Sequence, residues 1–304
     1  MEQMQTAIQV NHLMKKYKGF TLEVEDLHIP KGFSTALIGE NGAGKTTLLN
    51  VLAGIRLDYK GEITFFDQWS DKEREKTGNP VKEMIGYTGP NNYYLPQWTV
   101  KQVEEVSKLL FEKFDGAKFE KYVEMLQIAS ADSKGKNKKI SSLSDGNRMK
   151  LMLAGVLARD TDLLLMDEPA SPLDPLMRDV LCDLIREYIE EGQGEKSVFF
   201  STHNIADMEN VTDYAIIMER GRVVEQGFVE DLKEKYILVK GEASDIPTAE
   251  KILYSITKNS YGYEGICLAE DMNKLAGLDI EVSTPSLSQI SVAVMKKGTK
   301  IHLQ

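Results

Sequence analysis

The sequence predicts an α/β protein: a mostly parallel sheet with helices on both faces, an antiparallel β subdomain near the N-terminus, and a small α+β extension at the C-terminus. Three observations carry this. The apolar runs in "STALIG", "TDLLLMDE" and "KSVFFSTH" have strand length and no polar face, the mark of parallel strands buried on both sides. Segments of helical periodicity stand between them, so strand and helix alternate along the chain. Two alternating segments flank "YKGF", which reads as an antiparallel pair with a glycine turn.

The elements follow in order. The antiparallel pair lies in "TAIQVNHLMKKYKGFTLEVEDLHIPKG". After the strand "STALIG", "KTTLLNVLAG" is a helix closed by Gly54. From about Val100 to Ile128 the period is helical, with Val103, Val106, Leu109 and Leu110 on one face. The lysine-rich "SADSKGKNKK" is a solvated connector. In "LDPLMRDVLCDLIREYIEEG" Asp174 caps a helix, Pro175 takes its first position and Gly192 ends it. Leu176, Val180, Leu184 and Tyr188 are its expected buried stripe. "YAIIMERGRVVEQG" is a hairpin turning near Gly221. A boundary near 235 divides the chain into 1–235 and 236–304. Beyond it, "ILVKGEA", a helix near Ala249–Thr257, "EGICLAE", "LDIEVS" and a helix from "TPSLSQISVAVMKK" carry no catalytic motif.

Composition narrows the function classes. At 304 residues the expectation is one large domain or two modest ones. A formal net charge of −10 argues against a nucleic-acid binder, which usually shows a basic stripe. Cys182 and Cys267 are too far apart for a disulfide framework or zinc spacing, and fit a reducing compartment. No apolar run approaches the roughly 18 residues that span a bilayer. The acidic, polar N-terminus is unlike a secretory signal. The chain is therefore expected to be soluble by itself, with any membrane link made through a partner.

Gly39-Glu40-Asn41-Gly42-Ala43-Gly44-Lys45-Thr46 matches the phosphate-loop pattern in full. Its glycines let backbone N–H groups turn inward around phosphate oxygens, where a side chain would block approach. Lys45 adds a point charge for the β- and γ-phosphates, and the Thr46 hydroxyl is placed to bind Mg²⁺. The loop stands between a strand and a helix, so the helix N-terminus also faces the phosphates. "LLLMDE" brings carboxylates to the C-terminal end of a buried strand. Asp167 can reach a Mg²⁺ shell there, and Glu168 can polarise the attacking water. His203, in "FFSTHN", ends the next apolar strand, at the sheet edge where ligands bind. The plainer readings are an Asp-Glu that ends a strand and a histidine that is structural; the phosphate loop beside them favours function. A second phosphate-type device follows in "SLSDGNRMKLML", where a polar turn with Gly146 opens onto a helix.

The phosphate loop, "LSDGN", "LLLMDEP", "SPLD" and a strand-end histidine, in this order over residues 6–235, resemble the nucleotide-binding domain of an ABC ATPase. The resemblance implies a P-loop NTPase core of ABC type, with a helical subdomain over about 98–158. It implies ATP and Mg²⁺ as cofactors, nucleotide contacts from Gly39 through Thr47, and Mg²⁺ linked to Thr46 and Asp167. It makes Glu168 the catalytic base and His203 the switch histidine, acting with Lys45. Tyr17 falls where the family stacks a ring on adenine; it equally suits a turn in "KYKGF". "LSDGN" corresponds to the signature motif, and Ser144, Gly146 and Asn147 would face the γ-phosphate of another subunit. "SPLD", Ser171 to Asp174, corresponds to the loop crossing between subunits. One chain then holds two half-sites and completes neither, so a second ATPase subunit is implied, either a copy or a related chain.

Two departures stand out. Pro90, in "IGYTGPNNYYLPQ", takes the place of the family's glutamine, and proline can neither ligate Mg²⁺ nor orient water. Asn91 or Asn92 substitutes, or the contact is missing. Asn147 replaces a frequent glutamine by another amide. The wider likeness is to bacterial exporters of antimicrobial peptides, drugs or toxins with separate ATPase and membrane chains. It implies an ATP-hydrolysing subunit acting through a transmembrane permease, peripheral on the cytoplasmic face of the membrane. Tyr93, Tyr94 and Trp98 in "PNNYYLPQW" are amphipathic anchors for that subunit, or pack beneath their own loop. The tail adds a dimer contact or covers the core edge. A soluble ABC ATPase acting on nucleic acid or ribosomes is the alternative. Such chains carry coiled-coil insertions or two cassettes, and this one has neither, so no nucleic-acid partner is expected. Glu168 and His203 disfavour a non-hydrolysing sensor.

Overall fold

The structure, a computed structural model, describes residues 5–73, 80–91, 93–128 and 138–298. Among them the strands are β1 (Thr6–Tyr17), β2 (Phe20–Pro30), β3 (Ser34–Ile38), β4 (Lys60–Phe65), β5 (Trp69–Ser70), β6 (Ile85–Thr88), β7 (Leu163–Asp167), β8 (Ser197–Thr202), β9 (Tyr214–Glu219) and β10 (Arg222–Phe228). Four more, β11 (Tyr236–Glu242), β12 (Ser255–Lys258), β13 (Gly262–Leu268) and β14 (Ile280–Ser283), follow near the C-terminus. They form three sheets, in the orders β2-β1-β4-β5, β10-β9-β3-β8-β7-β6 and β12-β13-β11-β14.

The middle sheet is the frame. Its strands run parallel from β6 through β7, β8, β3 and β9, and only β10 is antiparallel. Every residue of β3, β7 and β8 is buried. Alternation then sends successive side chains to opposite faces. Leu37, Leu165 and Phe199 join the helix Lys45–Leu52 and the inner face of the β1–β2–β4 sheet in one core. Ile38, Leu164, Met166 and Phe200 join the helices Asp145–Leu157 and Pro175–Glu191 in the other. The N-terminal antiparallel pair pivots on Lys18–Gly19, with Gly19 at φ 89°.

Helix ends follow their capping residues. Thr99 and Gln102 form a reciprocal capping box at the start of the helix Val100–Leu110. Asp174 accepts the Met177 N–H and Pro175 occupies the first helical position, as expected. The buried stripes differ in detail from the expected ones. Leu109 and Leu110 are 85 % and 66 % exposed, because the helix ends there and turns its Val103–Ser107 face inward. Leu176 is 65 % exposed and Val180 half-buried, and Met177, Leu181, Cys182, Leu184, Ile185 and Tyr188 make the contact. The expected stripe began one residue early, so Leu184 and Tyr188 fit while its first members did not. Most of the lysine-rich connector lies outside the described residues.

At the C-terminus the expected helix over 249–257 is absent. A single turn, Ile246–Ala249, gives way to β12, where Ser255–Lys258 pairs with β13. The third sheet has two apolar faces. Leu238 and Ile266 enter the second core of the frame, while Val239, Tyr263 and Cys267 form a small core of their own. The last helix, Leu287–Gly298, places Leu287, Ile290, Ala293 and Val294 in the same core as Phe200. No helix among the described residues is long and apolar enough to cross a membrane.

Phe200 is fully buried at the centre of the frame, and Leu109 lies on the surface. Phe200→Ala is expected to lower the unfolding free energy by about 3–5 kcal/mol in urea titrations. Leu109→Ser should change it by less than about 0.5 kcal/mol; equal effects would refute this assignment of the core.

Candidate functional site

Three neighbouring strands of the frame, β7, β8 and β3, bring their C-terminal ends together. β3 runs into Gly39, whose N–H donates to the Thr202 carbonyl at the end of β8 (3.4 Å). The loop then winds into the helix Lys45–Leu52 through Gly44, at φ 107°, a left-handed conformation that favours glycine. A Cβ on Gly44 would lie 2.9 Å from the Phe20 ring, and one on Gly39 would meet the Met218 carbonyl at 2.5 Å. Both glycines are thus fixed by close approach. Ala43 is buried; Glu40, Asn41, Gly42 and Thr46 are exposed at the mouth, and Thr47 is half-buried.

Lys45 is folded back into the loop. Its Nζ donates to the carbonyls of Gly39 (2.8 Å) and Glu40 (3.3 Å), and pairs with Glu168 Oε1 (3.2 Å). The other Glu168 oxygen lies 2.7 Å from His203 Nδ1. Glu168 has φ 52°, an uncommon backbone for a residue with a Cβ and one that marks functional positions. Its N–H donates to Ser201 Oγ (3.0 Å), and that hydroxyl donates to Asp167 Oδ1 (2.6 Å). Ser201 therefore holds both carboxylate residues. It was missed in the sequence; the available signal was a serine closing the apolar run "VFFS", two residues before His203.

Asp167 is fully buried, and its Oδ2 has no hydrogen-bond partner. A buried carboxylate oxygen left unpaired is costly unless a cation answers it. With the Thr46 hydroxyl at the start of the adjoining helix, this oxygen fits a hard divalent cation such as Mg²⁺. The described residues hold no cluster of three or more His, Cys, Asp or Glu side chains suited to a metal. Nearby, the Tyr87 hydroxyl donates to Asn50 Oδ1 (3.0 Å), and burial together with the Asp167 charge raises its pKa above the usual tyrosine value.

Tyr17 is 41 % exposed, with Phe20 at 6.4 Å between ring centroids and Lys15 over its ring. Since Phe20 abuts Gly44, Tyr17 stands at the rim of the loop. Ser144, Gly146 and Asn147 sit apart: no hydrogen bond or ion pair among the described residues links them to the phosphate loop. Ser144 caps the helix Asp145–Leu157 by accepting the Asn147 N–H (3.2 Å). Gly146 has a reason of its own to lack a side chain, because a Cβ would lie 2.8 Å from the Pro172 carbonyl of the "SPLD" loop. Pro90 and Asn91 line a cavity of about 410 Å³ with Asp145, Arg148, Glu168 and Pro172. Asn91 therefore borders the space beside Glu168, and Asn92 lies outside the described residues.

A glycine cradle between a parallel strand and a helix, with carboxylates and a histidine on the two adjacent strand ends, defines a P-loop nucleotide-hydrolysing protein. The family model for ABC transporters matches residues 22–171. The chain is 31 % identical over 225 residues to the ABC transporter ATP-binding protein AlbC of Bacillus subtilis, covering 72 % of this chain and 91 % of that protein. It belongs to the ABC transporter ATP-binding proteins, and its reaction is ATP hydrolysis. The solved structure of cbiO1 from Clostridium perfringens, described as part of the ABC transporter complex cbiONQ, is 27 % identical, with a TM-score of 0.57 over 75 % of this chain and 90 % of that one. An ATP-binding cassette solved as a dimer with ADP and phosphate shares the fold at a TM-score of 0.58 and 21 % identity, over 73 % of this chain and 98 % of that one.

Ser201→Ala strips a partner from both Asp167 and the Glu168 N–H. It is expected to cost about 1–3 kcal/mol of stability in chemical denaturation. Loosening Asp167 and Glu168 together should also slow ATP hydrolysis about tenfold in a phosphate-release assay. An unchanged rate would remove Ser201 from the site.

Proposed function

We propose that this chain binds ATP with Mg²⁺ at Gly39–Thr47, pairs head to tail with a second copy of itself, and drives export through a separate transmembrane subunit at the cytoplasmic face of the membrane. The observation that carries the reading is the contact chain Lys45–Glu168–His203, which joins the helix behind the phosphate loop to the ends of β7 and β8 through one carboxylate. In this reading residues 1–235 are the ATP-binding domain, 98–158 its helical subdomain, and 236–304 an extension. Export rests on the resemblance drawn from the sequence.

The reaction is in-line attack of water on the γ-phosphate, which asks the protein mainly for positioning and charge neutralisation. Backbone N–H groups of the loop and the start of the helix Lys45–Leu52 hold the phosphates. Phosphate competes with Glu168 for the Lys45 ammonium, which frees Glu168 Oε1 to accept a hydrogen bond from the attacking water. His203 keeps the other carboxylate oxygen fixed and stands next to the transferred phosphoryl group. Thr46 and Asp167 would hold Mg²⁺, which would supply charge neutralisation for phosphoryl transfer. Ser144, Gly146 and Asn147 would donate to the γ-phosphate of the facing subunit from a helix N-terminus. Tyr17 would stack on the adenine.

Complementation tests the composite site. Lys45→Ala removes the phosphate loop of one chain, and Gly146→Asp places a carboxylate in its signature half-site. Each variant alone should lose more than about 100-fold in hydrolysis, while Gly146→Asp still binds a fluorescent ATP analogue. Mixing them re-forms one intact composite site and restores activity; a mixture no better than its parts would refute the dimer.

In this reading the membrane-docking surface uses only part of the loop 90–98. Tyr94 packs its hydroxyl against Gly155, and Trp98 lies against the core. Tyr93 and Leu95 remain 49 % and 45 % exposed and would meet the transmembrane subunit. Tyr93→Ala with Leu95→Ala should cut co-purification of that subunit about tenfold, as loss of an interface anchor does, and leave ATP binding unchanged. Undiminished co-purification would move the docking surface elsewhere.

A further inference from the structure

The loop bearing His203 and the loop Ser171–Asp174 are tied by one guanidinium. Arg178 Nη1 donates to Asp207 Oδ2 at 2.7 Å, and Arg178 Nε donates to the Leu173 carbonyl at 3.0 Å. The same Asp207 oxygen accepts from Asn204 Nδ2 at 2.9 Å. Leu173 belongs to the "SPLD" loop, and Asn204 directly follows His203. Arg178 and Asp207 are 28 % and 27 % exposed, so water only partly competes for these bonds. The planar fork of arginine serves two acceptors at once, which a lysine ammonium on a flexible stem does poorly. Beyond Asp207 the segment is anchored again, because Glu209 accepts the Leu287 N–H (2.9 Å) and pairs with Lys233 (3.2 Å). Ile205 and Met208, on either side of Asp207, are buried. The segment has little freedom to move without carrying Arg178 and the "SPLD" loop with it.

We infer that Arg178, through Asp207, is a positioning residue that makes the switch-histidine loop and the loop crossing to the facing subunit move as one unit. This rests on the two-half-site reading above. His203 stands at the chain's own phosphate site, whereas the "SPLD" loop lies against Gly146 at the half-site presented to the partner. A rigid tie between them passes the state of one site to the other, which appears as cooperativity in ATP.

The test is the dependence of hydrolysis on ATP concentration for the full-length chain, Arg178→Ala, Asp207→Asn and Arg178→Lys. Wild type is expected to give a Hill coefficient above one. Arg178→Ala and Asp207→Asn should bring it to one and lower kcat about tenfold, while affinity for a fluorescent ATP analogue shifts less than about twofold. Arg178→Lys should recover part of the cooperativity, and the double variant Arg178→Ala with Asp207→Asn should be no worse than either single one. A merely structural role would lower kcat and leave the Hill coefficient unchanged, which overturns the inference while the dimer stands. A Hill coefficient of one in wild type, with no complementation between Lys45→Ala and Gly146→Asp, would overturn the dimer and the inference with it.

Discussion

Burial of β3, β7 and β8 on both faces is the constraint on which the molecule rests. A strand with no solvent face has no room for a charged side chain along its length. Reactive groups are therefore confined to the strand ends, and parallel pairing puts those ends side by side. Gly39, Asp167, Glu168 and His203 lie together because three neighbouring strands stop together. Ser201 and Asp167 are both fully buried at these ends, and each is the other's partner. The same geometry accounts for the unusual backbone of Glu168. A carboxylate leaving a buried strand has to turn sharply to face both Lys45 and His203.

Much of this was legible in the sequence because the signals were local. An apolar run as long as a strand, a glycine-rich turn and a capping aspartate each act within a few residues, and each element they predicted is present. The phosphate loop and the strand-end carboxylate and histidine were found the same way. What escaped depends on tertiary contact. Helical periodicity grouped Leu109 and Leu110 with Val103, but it carries no information about where the helix leaves its neighbour. In the helix Pro175–Glu191 a stripe begun at Leu176 instead of Met177 was enough to misassign its first members. Residues 255–258 became a strand only because β13 offers them a partner. Ser201 looked like one more strand residue, and the pairing of Arg178 with Asp207 spans a separation no local pattern encodes.

The departure at Pro90 acquires a physical setting. The residue lies on the rim of a cavity that Asn91, Arg148 and Glu168 share. Polar groups at that rim come from the adjoining asparagine and from the helix Asp145–Leu157. The environment of Glu168 on this side is thus built by two elements distant in sequence, with the Pro172 carbonyl packed against Gly146 between them.

The helix Leu287–Gly298 bears on how the chain is made. Leu287, Ile290, Ala293 and Val294 fill the same core as Phe200 and the helix Pro175–Glu191. Until residues 287–294 have been synthesised that core lacks these four side chains, while the opposite core, closed by β1, β2 and the helix Lys45–Leu52, needs nothing beyond β10. The nascent chain therefore matures from one face of its sheet to the other. Synthesis halted before Leu287 would leave that face without its helical cover and its apolar residues open to a chaperone.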